Sequence, residues 1–303
     1  KKLSGILMMT ENMDKQAGDL GLALVAEMQE LTTLRIQNDG LVNAEKNLSY
    51  NDQGQSLKVL FENKIGGGDS AIVIAAGPSL KRHNGGEQIQ AANYQGSIIA
   101  TESAMLYCLK QGIVPDLVVT VDPHESRIVR WFGDPELTLE HLGKDDYFAR
   151  QDMDDSFSDQ IQANQEVYDL VNQYGPKIKI ALSTSASDAV VSRALESGMD
   201  IYWWNPIYDE PSSVDSITRK LFEMNGFPCL NAGGNVGSAC WMMADTILEK
   251  KKIAVVGMDF GYYSDLPYSN TQYYNEIIDL VGEENLDSVF MHIYNPYLDK
   301  WFY

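Results

Sequence analysis

Short apolar runs and amphipathic stretches alternate along most of this chain. Ala71–Ala76, Ser97–Ala100, Leu117–Val121, Ile178–Leu182, Ile201–Trp204 and Ile253–Val256 read as strands, and most are bare apolar runs rather than alternating ones. That pattern suits strands buried on both faces of a parallel sheet. Between them, Gly86–Asn93, Ala104–Gln111, Asp159–Gln173, Asp188–Ser197, Ser213–Met224 and Val236–Glu249 read as helices. Strand–helix–strand repetition predicts an α/β fold with a Rossmann-like, doubly wound, mostly parallel sheet and right-handed crossovers. Ligands of such sheets bind beyond the carboxyl ends of the strands.

Residues 1–65 follow another pattern. Over Ala17–Leu34 the apolar positions Leu20, Leu24, Met28 and Leu31 recur at three and four, which predicts an amphipathic helix, and Ser56–Phe61 reads as a second, shorter one. The run Gly66-Gly67-Gly68 marks a boundary. The expected organisation is a helical arm or cap over 1–65 and a nucleotide-binding domain over 66–303. An acidic, weakly patterned excursion is expected at 133–158.

Composition narrows the functions. With 44% hydrophobic and 22% charged residues the 303-residue chain is ordinary globular material. No apolar run approaches the ~18 residues of a membrane span. A net charge of −20 removes nucleic acid from the partners, because a phosphodiester backbone demands clustered Lys and Arg. A single phosphorylated ligand stays allowed, since main-chain amides bind phosphate without basic side chains. Cys108, Cys229 and Cys240 form no close pair and no metal-type spacing. They read as reduced thiols, and the apolar stretch Ile6–Met9 is too short for a secretory signal. The expected location is cytoplasmic.

The strand ends hold the candidate chemistry. The first runs into Gly77-Pro78-Ser79, where a glycine turn precedes a hydroxyl that can cap a helix or meet a phosphate or ribose. No Gly-Lys-Ser/Thr Walker signature is present. The second ends in Thr101-Glu102-Ser103. The third ends in Asp122-Pro123-His124, placing a carboxylate and an imidazole near one another. Ser183, Thr184 and Ser185 offer more hydroxyls than one helix cap needs. Asn205, after Trp203-Trp204, is a candidate for recognising a base or sugar, against an aromatic-core reading of the tryptophans. Gly233-Gly234-Asn235, just before a helix, permits close approach of a ligand to the main chain. The last strand ends in Asp259, which converges with Asp122 if their strands are neighbours.

Four motifs in order carry a resemblance: Ala76-Gly77-Pro78-Ser79-Leu80, Gly112-Ile113-Val114-Pro115-Asp116 running to Asp122-Pro123, Gly233-Gly234-Asn235-Val236, and Val256-Gly257-Met258-Asp259-Phe260. Together they resemble the domain shared by archaeal 6-hydroxymethylpterin diphosphokinases and bacterial motility accessory factors, which are implicated in flagellin glycosylation. Gly77-Pro78-Ser79-Leu80 and Gly257-Met258-Asp259-Phe260 also resemble two motifs of bacterial CMP-dependent sialyltransferases. The resemblance spans about 70–263. Glu102 stands one place after the family's usual Asp, and only His292 lies beyond the last motif, where the sialyltransferases place a catalytic His.

The resemblance implies a nucleotide-dependent transferase using a CMP-activated nonulosonic sugar. Gly77, Pro78, Ser79, Glu102, Gly233, Gly234 and Asn235 are then nucleotide-site residues, joined by Ser183, Thr184, Ser185 and Asn205 from the reading of their own strand ends, and Asp122 and Asp259 are catalytic. The expected partners are a nucleotide-activated small molecule and a protein acceptor. The alternative is ATP-dependent pyrophosphoryl transfer to a pterin alcohol, with magnesium held by Asp122 and Asp259. A third expectation is a nucleotide-binding module without catalysis.

Overall fold

A computed structural model describes residues 39–144, 160–271 and 274–303. The helix expected over 17–34 and most of the 133–158 excursion lie outside the described residues. The chain begins with α1 (Leu41–Asn47), β1 (Gln55–Ser56), α2 (Lys58–Glu62), β2 (Gly67–Ile74), α3 (Pro78–Arg82), α4 (Gly85–Ala91), β3 (Gly96–Thr101) and α5 (Glu102–Lys110). It continues through β4 (Leu117–Thr120), α6 (Glu125–Val129), α7 (Leu139–Lys144), α8 (Gln160–Tyr174), β5 (Lys179–Ser183), α9 (Asp188–Glu196) and β6 (Asp200–Pro206). Then follow α10 (Ile217–Asn225), β7 (Cys229–Leu230), α11 (Val236–Met242), β8 (Lys252–Val256), α12 (Tyr274–Val281), β9 (Ile293–Asn295) and β10 (Lys300–Phe302).

All six predicted strands form. They build an eight-stranded sheet in the order β1-β6-β5-β4-β3-β2-β8, with β7 also on β6. Every pairing within it is parallel. Successive side chains alternate between two covered faces, which explains the bare apolar runs. Val118, Ile180, Leu182 and Trp203 meet α5, α8 and α9 on one face. Val73, Val119, Ala181 and Trp204 meet α2 and α11 on the other. Both tryptophans are fully buried core residues, on opposite faces.

Some local expectations change. Ser56 is in a strand rather than a helix, because it pairs with Trp203 and the Leu57 amide donates to the Trp203 carbonyl at 2.9 Å. Leu57 and Leu60 are buried in the sheet's core, so residues 55–62 pack as part of the same layered unit. The helix expected from Ser213 begins at Ile217. Asp209 accepts from the Ile217 amide at 2.7 Å and the Thr218 amide at 3.1 Å, and the Ser216 hydroxyl caps from outside. The long helix expected from Val236 is α-helical to Met242 and then widens into a π turn over Met243–Ile247. The shortest strands, β1 and β7, carry no periodic signal, since a two-residue strand shows no alternation.

Candidate functional site

The winding reverses at β2. The chain runs from it toward β3, β4, β5 and β6 on one side, and β8 returns to its other side. In an open α/β sheet that reversal leaves a crevice. Here a cleft of about 430 Å³ opens at it, lined by Gly77 and Pro78 after β2, Thr101 and Ser103 at the end of β3, and Asn235 and Gly237 at the start of α11. Gly257, Asp259 and Phe260 close it from the end of β8.

The turns after β2 and β8 hold each other. The Gly77 amide donates to the Gly257 carbonyl at 2.7 Å. A Cβ on Gly77 would stand 2.5 Å from that carbonyl and 2.6 Å from Asp259 Oδ2, so no larger residue fits without displacing main chain. Gly257 takes φ +72°, which side chains rarely adopt. Asp259 then reaches across the strands: Oδ2 accepts from the Ser79 amide at 2.7 Å and Oδ1 from the Ser79 hydroxyl at 2.6 Å. The carboxylate thus caps the first turn of α3 from another strand, supplying an acceptor to an otherwise orphan N–H.

Glu102 is the first residue of α5, whose N-cap is Thr101, with the Thr101 hydroxyl accepting from the Ala104 amide at 3.1 Å. Its neighbours Thr101 and Ser103 line the cleft, while Glu102 itself is buried. Burial pushes its carboxyl up to about 8; its own amide opposes this, and the charge of Asp122 adds to it. Oε2 has no hydrogen-bond partner among the described residues. The group is therefore mainly protonated at neutral pH, a buried neutral acid directly behind the cleft wall.

Asp122 is exposed after β4, with Oδ1 accepting from the His124 amide at 2.7 Å in a local turn. Asp122 and Asp259 do not converge on adjacent strands. β3 and β2 stand between β4 and β8, a separation of about 14 Å at ~4.8 Å per strand. Magnesium held between these two carboxylates therefore does not fit. Among the described residues no three His, Cys, Asp or Glu side chains gather as a metal set. His292 bonds the Tyr268 hydroxyl at 2.7 Å.

The remaining predicted residues divide. Asn235 lines the cleft, and its Oδ1 caps α11 by accepting from the Ser238 amide at 2.9 Å. Gly233 and Gly234 lie just before it, exposed, at φ +65° and +89°. Ser183, Thr184, Ser185 and Asn205 are buried outside the cleft lining. Thr184 donates to Asn205 Oδ1, and Asn205 Nδ2 donates to Asn225 and to the Phe227 carbonyl, both at 2.9 Å. The Ser183 hydroxyl accepts from the Ser185 amide at 3.1 Å. Helix α1 covers them: Asn47 Nδ2 donates to the carbonyls of Thr184 and Ala186, and Asn43 Nδ2 to those of Pro123 and Ser185. Sequence reasoning passed over Phe260, Tyr262 and Phe290 in the cleft wall. Phe260 lay inside a quoted motif, but nothing local marks an exposed aromatic.

The site is a glycine-turned cleft at the reversal strand of a parallel α/β sheet. Residues 42–134 match the model of the family described as 6-hydroxymethylpterin diphosphokinase MptE-like. Among solved structures the chain is similar to the MAf glycosyltransferase from Magnetospirillum magneticum AMB-1, at 15% identity and a TM-score of 0.40 over 65% of this chain. It spans 24% of that chain's length. These are the two groups that the motifs resemble. No curated protein matches. Among the described residues no helix is long and apolar enough to cross a membrane.

Proposed function

We propose that this chain is a nucleotide-dependent group transferase whose cleft between β2 and β8 takes a CMP-activated nonulosonic sugar. The carrying observation is the make-up of that cleft. At the reversal strand, glycine-built turns bring main chain to its surface, and its volume of about 430 Å³ lies within the ~300–1,000 Å³ of small-molecule sites. The Gly77 amide is taken by Gly257 and the Ser79 amide by Asp259, so in this chain of net charge −20 the phosphate is left to the first-turn amides of α11 beside Asn235. In this reading Gly77, Pro78 and Asn235 surround the nucleotide. Asp122, exposed after β4 two strands along from β2, is assigned to orient the acceptor hydroxyl. Calorimetric titration with CMP, CDP, ATP and GTP tests it: cytidine nucleotides bind preferentially. Preference for ATP with magnesium, and no cytidine binding, overturns the donor assignment.

The family match favours a second reading, because residues 42–134 include Gly77, Ser79, Glu102 and Asp122. It is pyrophosphoryl transfer from ATP to 6-hydroxymethyl-dihydropterin. That reaction releases AMP, and its absence in an assay with both substrates and magnesium removes the reading.

A further inference from the structure

We infer that Phe260 is the residue on which the flat heteroaromatic ring of the ligand stacks. The inference rests on the reading of the cleft as a nucleotide site and says which wall takes the ring. Phe260 lines the cleft and is 77% exposed. Its φ is +53°, a left-handed conformation that is a true outlier for a bulky side chain. Packing into the core does not account for a phenylalanine that faces solvent.

The surrounding structure holds that conformation from both sides. Asp259, just before it, is fixed on Ser79. Two residues later, Tyr262 exchanges main-chain hydrogen bonds with Tyr303 at 2.8 and 2.9 Å. The ring is thus presented by a segment anchored on both sides. Phe290 lines the same cleft, stacked on Tyr268 with centroids 4.3 Å apart. The cleft therefore has two chemistries. Gly237 offers main chain at the start of α11, while Phe260 offers an exposed π face beside the Phe290 and Tyr268 stack. A nucleobase or a pterin has the matching form, a polarisable flat face with a phosphorylated or phosphate-accepting arm. Base–aromatic stacking tolerates ring identity because every such ring has a π face.

The test uses the full chain and three ligands: CMP, 6-hydroxymethylpterin and ribose 5-phosphate, which has the phosphate without a ring. Phe260→Leu keeps apolar bulk and loses the π face; Phe260→Trp keeps the face. Phe260→Leu is expected to weaken the ring-bearing ligand by about tenfold or more. Ribose 5-phosphate binding stays within about twofold, and Phe260→Trp restores the loss. Which ring compound responds identifies the source of the ring. Unchanged ring binding in Phe260→Leu, or an equal loss for ribose 5-phosphate, overturns the inference and leaves the nucleotide reading standing. Wild-type protein that holds ribose 5-phosphate but neither ring compound also overturns it. Wild-type protein that binds none of the three removes the nucleotide reading and this inference with it.

Discussion

The carboxyl edge of the sheet has two halves built from similar material and put to opposite use. At β5 and β6, a hydroxyl cluster and an asparagine follow buried apolar strands; at β2 and β8, glycine turns with a serine and an aspartate do the same. The first half is closed. Thr184, Asn205 and Asn225 bond one another, and α1 lowers Asn43 and Asn47 onto the loop carbonyls. The second half is open, with its polar side chains bonded across the strands and its main chain left to line a cleft. A surplus of polar groups at a strand end does not by itself make a ligand site. What decides is whether another segment arrives to cover them; most then find partners, since a buried polar group without one is costly, though the Ser185 hydroxyl and Asn47 Oδ1 have none among the described residues.

The strongest way to break the comparison is Asn205→Ala. Asn205 is fully buried, and its amide bridges Thr184, Asn225 and the Phe227 carbonyl. Its removal strands several polar groups at ~1–3 kcal/mol each, partly relieved by relaxation. The expected loss is about 3 kcal/mol in urea denaturation, with nucleotide affinity of the folded protein within about twofold of wild type. A variant of normal stability whose nucleotide affinity falls tenfold would instead make the closed half part of the ligand site.

Much of the open half was legible because its signals are local. Gly257, two places before Asp259, marks a turn that its own φ of +72° requires, whereas Gly77 is required by the Gly257 carbonyl and Asp259 packed against it. The sheet was legible for the same reason, through runs such as Ile178–Leu182 whose burial on both faces needs no knowledge of neighbours. The bonding of the closed half was not legible, because the partners of Thr184 lie far along the chain, at Asn47 on one side and Asn205 on the other. Strand order was equally invisible. Asp122 and Asp259 look equivalent in sequence, and only the placement of β2 and β3 between their strands parts them.

Glu102 sits where the halves meet, and its titration sharpens the boundary. Its carboxyl is held at about 8 against an ordinary 4.5, chiefly by burial. The folded chain keeps this proton at pH values where the unfolded chain has lost it. The stability it contributes is therefore complete below about pH 4.5 and is lost as pH rises toward 8, at up to ~1.4 kcal/mol per pH unit. Glu102→Gln cannot titrate. Its stability relative to wild type is expected to rise steadily between pH 5 and pH 8, read from urea denaturation at each unit. Parallel stability curves would mean that solvent reaches the carboxyl through the cleft wall and that the wall at β3 is open.

The smallest expected effect belongs to Asp259, and it separates shaping the open half from acting in it. Both carboxylate oxygens are engaged by Ser79. Asp259→Ala leaves the Ser79 amide and hydroxyl without that partner and is expected to cost about 1–2 kcal/mol, the scale of a lost helix cap. Nucleotide affinity falls with it, because the Gly77 turn loses its brace. Asp259→Asn keeps an oxygen for the Ser79 amide, and its NH₂ can donate to the Ser79 hydroxyl, so only the charge is removed. If the carboxylate shapes the cleft, Asp259→Asn recovers stability and affinity together, to within about 0.5 kcal/mol and threefold of wild type. If the charge itself contacts ligand, Asp259→Asn recovers stability alone while affinity or turnover stays down by tenfold or more. Measuring melting and nucleotide titration on both variants assigns the residue, since a purely structural brace cannot lose function in a variant that has regained its stability.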